Sequence, residues 1–234
     1  MLNGPKGPSW LMWAYKLLLK AVQAKGMFQR NKIPLETKIL ACLLYMAGLS
    51  YRAMTMQTGI IQACYRSVHY WVQKFKEIGL GAKKKARRLI AIDETKLKVN
   101  GRQAFVWAAI DVESRELLAI YASYQRSSLN SYVFLRKVLK ACTNKPLVLV
   151  DKGPWYPWAL DRLGLKWQHV TFGKRNYIER LFRTLKERTK AFYNNVNSKR
   201  GAYSLILFLN LFMLWYNYLR WHQGIRATPG GELI

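Results

Sequence analysis

Asp93, Asp151 and Glu179 are the residues whose type and setting could do chemistry in this chain of 234 residues. Asp93 follows Leu89-Ile90-Ala91-Ile92, and Asp151 follows Leu147-Val148-Leu149-Val150. Both runs are wholly apolar and read as strands buried on both faces. If the two strands are central neighbours, their carboxylates sit side by side at one sheet edge, where open α/β sheets carry their sites. Carboxylates that close repel unless one is protonated or a metal bridges them. Mg²⁺ accepts one or two carboxylates and fills the rest of its shell with water and substrate phosphate. A third carboxylate from a facing helix would complete a site for two ions. One ion would activate the attacking water or 3′-hydroxyl, and the other would stabilise the leaving oxygen of an in-line phosphoryl displacement.

The third carboxylate has a candidate in the stretch Asn176 to Lys190. Ile178, Leu181, Phe182 and Leu185 recur at the spacing of one buried helical face. Arg180, Arg183, Lys186, Arg188 and Lys190 make the remainder cationic. At 100° per residue, Glu179, Arg183, Lys186 and Lys190 fall along one side. A basic helix suits nucleic acid, and a carboxylate among those cations would repel phosphates unless it held a divalent ion. The alternative is a simple i,i+4 ion pair between Glu179 and Arg183, just as each aspartate alone could be a turn or cap residue.

The elements that must position these groups follow from the periodicity. Residues 1–34 read as an arm, Gly/Pro-rich and frayed over 1–9 with helical spacing over Trp10–Ala24. Residues 35–80 read as three short helices. The first starts after Pro34 and ends at Gly48, the second (Tyr51–Gln57) is capped by Ser50 and stopped by Gly59, and the third runs from about Ile61 to Ile78. The third would bury Ile61, Cys64, Val68, Trp71 or Val72, and Phe75, and present Gln62, Arg66, His69 and Gln73. That pattern matches a helix-turn-helix, whose last helix enters the major groove. Gly79 and Gly81 lead into Lys83, Lys84, Lys85, Arg87 and Arg88, read as a basic linker over 81–88 that contacts phosphates.

From residue 89 to 234 the pattern is that of a second domain. It begins with a strand ending at Asp93, then a hairpin (Leu97–Val99 and Gln103–Val112) turned by Asn100-Gly101, then a strand over Glu116–Tyr124. A helix over Ser131–Ala141, the strand ending at Asp151, a short helix Pro157–Leu163 and a strand Trp167–Phe172 follow. Two long helices close the chain, the second covering about Ala202–Trp221. Antiparallel strands first and crossovers later describe a mixed α/β sheet flanked by helices. Asp111, Glu113 and Glu116 are expected in solvent at a turn, and His222 at the surface or capping a helix. The aromatic-rich helix Tyr203–Trp221 is expected in the core or at a protomer contact. Gly173-Lys174-Arg175 lacks the spacing of a phosphate-binding loop.

The net charge of +27 points to a polyanion, nucleic acid first. Residues 1–90 hold 16 Lys/Arg against Glu36 and Glu77, and the rest hold 23 against 10, so both halves are expected to touch it. Cys42, Cys64 and Cys142 are odd in number and far apart, which argues against disulfides and zinc and fits a reducing cytoplasm. Leu205–Tyr216 is too short to span a bilayer and no export signal is visible, so no membrane partner is expected.

The ordered set Ile92-Asp93-Glu94-Thr95, Val150-Asp151-Lys152-Gly153-Pro154-x-Tyr156-Pro157 and Asn176-x-Ile178-Glu179 resembles the DDE transposases of short insertion sequences, which have a retroviral-integrase-like, RNase H-like core. Tyr216-Asn217-x-x-Arg220-Trp221-His222-Gln223-Gly224-Ile225-x-x-Thr228-Pro229 resembles the ending of many such enzymes, with Trp221 where Pro is usual. Lys186, seven residues after Glu179, matches the residue that contacts element-end DNA. Leu49-Ser50-Tyr51-Arg52 and Tyr70-Trp71-Val72 resemble the family's helix-turn-helix. The 27 residues between Asp151 and Glu179 are fewer than the family usually has, and Glu187, 80° around the helix, is the rival carboxylate. The resemblance implies catalysis and metal binding by Asp93, Asp151 and Glu179. It implies two Mg²⁺ ions, with Mn²⁺ as a substitute, and double-stranded DNA (transposon ends and target) as partner. It also implies hydrolysis at the ends followed by strand transfer, and a homodimer or higher in the synaptic complex.

Two other readings stand beside it. One is a sequence-specific DNA-binding protein without chemistry, a domesticated or inactive remnant, and the other is a basic RNA-binding protein. The charge predicts that log affinity for duplex DNA falls linearly and steeply with log salt concentration. Binding titrations at several salt concentrations read this slope, and an RNA affinity equal to that for terminal-repeat DNA would favour the RNA reading.

Overall fold

Proline, serine and glycine punctuate the N-terminal helices. The computed structural model describes residues 8–28, 32–78, 81–170, 173, 176–190, 195–196 and 201–231. The glycine- and proline-rich residues 1–7, Gly79, the end of the strand expected at Phe172, and Lys174-Arg175 lie outside these. Helix α1 spans Pro8–Ala24 and α2 spans Leu35–Met46, with Pro34 in the cap position before it. Gly48, at φ +110°, takes the chain out of α2. The Ser50 hydroxyl accepts the Ala53 N–H (3.1 Å), so the capped second helix forms, although Ala53–Gln57 is wound as a π turn. Helix α3 (Tyr65–Phe75) starts four residues later than expected. Val68, Trp71, Val72 and Phe75 are buried as the periodicity requires, but Cys64, ahead of the first turn, is exposed.

The first strand of the sheet does not stop at Asp93. Strand β1 runs unbroken over Leu89–Val99, because Leu97 and Val99 continue the buried alternation. Asn100 and Gly101, at φ 51° and 77°, form the two-residue turn with both positions left-handed that suits the strand twist. The chain returns as β2 (Arg102–Asp111) and then β3 (Leu117–Ser123), both antiparallel. Helix α4 (Ser128–Leu139), capped by the Ser127 hydroxyl on the Asn130 N–H, crosses to β4 (Leu147–Val150). Helix α5 (Pro157–Arg162) leads to β5 (Trp167–His169). Helix α6 (Asn176–Thr189), the short β6 (Asn195–Val196) and α7 (Ala202–Leu214) complete the order, and α7 continues as a π turn over Trp215–Leu219.

The sheet order is β3-β2-β1-β4-β5, with β4 parallel to the start of β1 and β6 parallel to its end. This is the mixed sheet flanked by helices that the sequence describes. Alternation along β1 divides the core. Ile90 and Ile92 pack with Trp107, Phe134 and Leu160 beneath α4 and α5. Ala91, Leu97 and Val99 pack with Ile178, Leu181 and Leu185 of α6, with α7, and with the N-terminal helices. Residues 202–219 are apolar and long enough for a membrane span by composition, a longer run than the sequence reading gave, yet 67% of that stretch is buried inside the protein. Asn217 explains part of this: its amide accepts the Leu117 N–H (2.8 Å) and donates to the Leu117 carbonyl (2.9 Å), tying the helix to β3.

The basic run at 81–88 is not a free linker. Lys85 forms a parallel bridge with Cys142, and the Lys83 N–H donates to Glu116. Arg87 is fully buried, so the expectation that it contacts phosphate is corrected. Its Nη1 donates to Asp111 Oδ2 (2.9 Å), and its Nη2 lies 2.8 Å from Glu116 Oε2. Asp111 and Glu116, expected in solvent, are buried for the same reason: a buried guanidinium requires carboxylate partners. Glu113 is exposed, as expected, and pairs with Arg88.

Asp111 has its carboxyl held below the usual value of 3.8. Burial opposes this, but the Arg87 hydrogen bond and the Ser114 and Glu113 N–H groups outweigh it. The resulting stabilisation is present above that value and is lost as pH falls below it. Arg87→Met, which strands two buried carboxylates, is predicted to cost about 3–5 kcal/mol in urea unfolding. Wild-type stability should fall below pH 4, and a smaller part of that fall should remain in Asp111→Asn.

Candidate active site

Paired parallel strands carry the two aspartates at the same end of the sheet. Leu89, Ile90 and Ala91 lie opposite Leu147, Val148 and Leu149; Asp93 lies two residues past that pairing in β1, and Asp151 directly follows the end of β4. Alternation sends Asp93 toward the sheet face of Ala91, the face that α6 covers. Asp93 is 8% exposed and its Oδ1 accepts the Glu94 N–H (2.9 Å). Asp151 is half-buried and its Oδ1 accepts the Gly153 N–H (2.9 Å).

Glu179 is exposed on the flank of α6 above β1. It lines a cleft of 590 Å³ with Asp93, Glu94, Thr95, Phe182, Arg183, Lys186, Glu187 and Lys190. The helical spacing read from the sequence thus matches the cleft wall, with Arg183, Lys186 and Lys190 all exposed on it. Glu187, the rival carboxylate, shares the cleft too. Asp151 is not among its walls, and among the described residues no three His, Cys, Asp or Glu side chains stand close enough together to hold a metal ion.

The remaining cationic candidates differ in availability. Lys83, Lys84, Lys85 and Arg88 are exposed, with Lys85 3.5 Å from Glu116 and Arg88 2.5 Å from Glu113. The Arg88–Glu113 pair, exposed on both sides, contributes little and exchanges readily. On α3, Arg66 and His69 are exposed, and Arg66 and Arg52 both stack on Tyr65. His69 meets Tyr51 edge-on, and Gln73 Nε2 lies 3.1 Å from His69 Nε2.

Sequence reasoning missed Glu94 as a fixed point of this site. Pointing to the opposite face from Asp93, its carboxylate accepts from the Tyr156 hydroxyl (2.5 Å), Trp155 Nε1 (3.3 Å) and Arg126 Nη1 (3.2 Å). Burial first, and then Glu94, push the Tyr156 pKa well above the usual tyrosine value, with Asp93 and Asp151 adding to the shift, so Tyr156 is a donor at any working pH. Gly153 is needed between them, since a Cβ there would lie 2.7 Å from the Trp155 ring. The signal was in the motifs themselves: Glu94 and Tyr156 belong to two of the matched stretches and tie them together.

Residues 88–213, more than half of the chain, match a family model described as a DDE domain, of the IS240 transposase type. The chain belongs to the insertion-sequence DDE transposase family. It is 43% identical over 206 residues to an uncharacterised protein of Methanocaldococcus jannaschii, covering 88% of this chain and 96% of that one. It is 27% identical over 166 residues to the Staphylococcus aureus transposase for insertion sequence-like element IS431mec, covering 66% and 73%. A solved intasome of simian T-cell lymphotropic virus, in complex with PP2A regulatory subunit B56 gamma, has a chain that superposes with a TM-score of 0.50 at 13% identity. That match covers 81% of this chain and 72% of the other, and supports an integrase-like fold.

Tyr156→Phe removes one donor from a carboxylate that keeps Arg126. A loss of about 1.5–3 kcal/mol is predicted, the range for a hydrogen bond to a charged group. Equal urea midpoints for the variant and the wild type would show that the contact does not form.

Proposed function

We propose that this family member binds the ends of a DNA element and catalyses Mg²⁺-dependent strand cleavage and strand transfer. The observation that carries the reading is the shared cleft: Asp93 and Glu179 line it together with Arg183, Lys186 and Lys190. Carboxylates beside a cationic wall suit a polyanion whose reacting phosphate is bridged by hard cations. Asp93, Asp151 and Glu179 offer oxygen donors only, the set Mg²⁺ prefers, and Mn²⁺ would substitute. Bound there, two ions would supply Lewis-acid activation of the attacking oxygen and stabilisation of the leaving one.

The chain's own residues do the rest. Arg183, Lys186 and Lys190 neutralise backbone phosphates along the cleft and fix the strand against β1. Arg66, His69 and Gln73 on α3, with Lys83, Lys84, Lys85 and Arg88, engage the duplex away from the reacting bond. Domain roles follow the sequence boundaries, with recognition by 35–80 and chemistry by the sheet from residue 89 onward. The working species is a homodimer or larger, pairing two ends, in a reducing cytoplasm that suits the cysteines Cys42, Cys64 and Cys142.

A second reading has an observation in its favour. The exposed Arg66 and His69 of α3 and the exposed Lys83, Lys84, Lys85 and Arg88 would serve a sequence-specific DNA-binding protein without chemistry equally well. One set of assays separates the two. Asp93→Asn, Asp151→Asn and Glu179→Gln are each predicted to abolish Mg²⁺-dependent cleavage of terminal-repeat DNA while binding it normally. Lys186→Gln should weaken binding across sequences and lower the salt slope by about one. Cleavage unchanged in all three carboxylate variants would remove the enzymatic reading, and DNA binding with no product in any metal would establish the second.

A further inference from the structure

A second cleft, outside the carboxylate site, is cationic in a different way. It measures 510 Å³, within the range of ligand sites. Its walls include Arg115 from the β2–β3 turn, Tyr177 and Arg180 from α6, and Tyr216, Arg220 and His222 from the end of the chain. Among the described residues none of its walls is acidic, and none of the three arginines pairs with a carboxylate.

Aromatic faces and a carbonyl hold two of the guanidiniums. Arg115 stacks over Tyr177 and donates to the Val112 carbonyl. Arg220 lies 5.6 Å from the Trp215 ring and 5.5 Å from that of Tyr216. Arg180 is exposed at the rim. Three like charges around one cleft repel, and an anion shared among them would relieve that repulsion.

His222 reports the uncompensated field. Its ring packs edge-on against Tyr216 at 4.7 Å, and its buried Nε2 has no hydrogen-bond partner among the described residues. Burial, then Arg220 and Arg115, lower its pKa to about 4, so the ring is neutral near pH 7.

We infer that Arg115, Arg180 and Arg220 form a phosphate-binding pocket distinct from the carboxylate cleft, filled by a phosphate of bound DNA or by free phosphate. Guanidinium forks suit a tetrahedral oxyanion, since each presents paired N–H donors. Helix α6 stands between the two clefts: Glu179, Arg183, Lys186 and Lys190 face one, and Tyr177 and Arg180 face the other. A strand crossing that helix would meet both. The DNA source rests on the function proposed above, whereas the phosphate chemistry does not.

The test titrates the full chain with inorganic phosphate, read by calorimetry and by the His222 ring signals in NMR. Saturable binding is expected, with the His222 pKa rising as the anion offsets the arginine charges. Arg180→Gln, an exposed change that spares the core, and Arg220→Gln should each weaken phosphate binding about tenfold, the scale of one charged hydrogen bond. Arg136→Gln on α4 should not. In parallel, the salt slope of duplex binding is measured for the same variants. A slope reduced by about one assigns the occupant to DNA, with or without measurable free-phosphate binding. Phosphate binding that the variants lose, with an unchanged slope, assigns it to the free anion. No phosphate binding, or binding indifferent to Arg180 and Arg220, together with an unchanged slope, overturns the pocket. A wild-type chain that binds no DNA would defeat the proposed function, and the phosphate titration would still decide this one.

Discussion

The parallel register between β1 and β4 is the constraint on which the site depends. Residues 58 positions apart in sequence pair, Leu89 with Leu147, Ile90 with Val148 and Ala91 with Leu149. A slip of one residue would send Asp93 to the opposite face, since the side-chain period of a strand is two. The register is held by burial on both sides: Ile90, Ile92, Val148 and Val150 go beneath α4 and α5, while Ala91 and Leu149 go beneath α6. Apolar residues on both faces make the position of each aspartate a consequence of core packing rather than of local turn chemistry.

Around that register the charges are sorted by depth. Arg87, Asp111 and Glu116 are buried together and close the start of the sheet onto the β2–β3 turn. Arg126 and Glu94 form a half-buried pair that fixes the carboxylate beside Asp93. Arg183, Lys186 and Lys190 have no such role in the core and stay exposed along α6. One helix therefore serves as both a buried wedge, through Ile178, Leu181 and Leu185, and a cationic wall.

What could be read from the sequence followed from how local each signal is. The Asn100-Gly101 turn, the Ser50 cap and the buried face of α6 depend on a few adjacent residues, and all appear as expected. Arg87 sat in a run of six residues with five cations and looked like its neighbours, because nothing local separates a buried arginine from an exposed one. Its partners lie 24 and 29 positions away, at Asp111 and Glu116. The extent of β1 was also hidden, since Asp93 interrupts an apolar run that resumes at Leu97. The role of Glu94 required knowing that Tyr156, 62 positions later, would cross the sheet edge to reach it.

The most direct measurement of the central claim is paramagnetic broadening by Mn²⁺, followed by NMR on the chain bound to a duplex. The account predicts that signals of Asp93, Asp151 and Glu179 broaden together at low Mn²⁺ and recover when Mg²⁺ is added in excess. Broadening centred on Glu187 with Asp151 untouched, or no localised broadening, would contradict it.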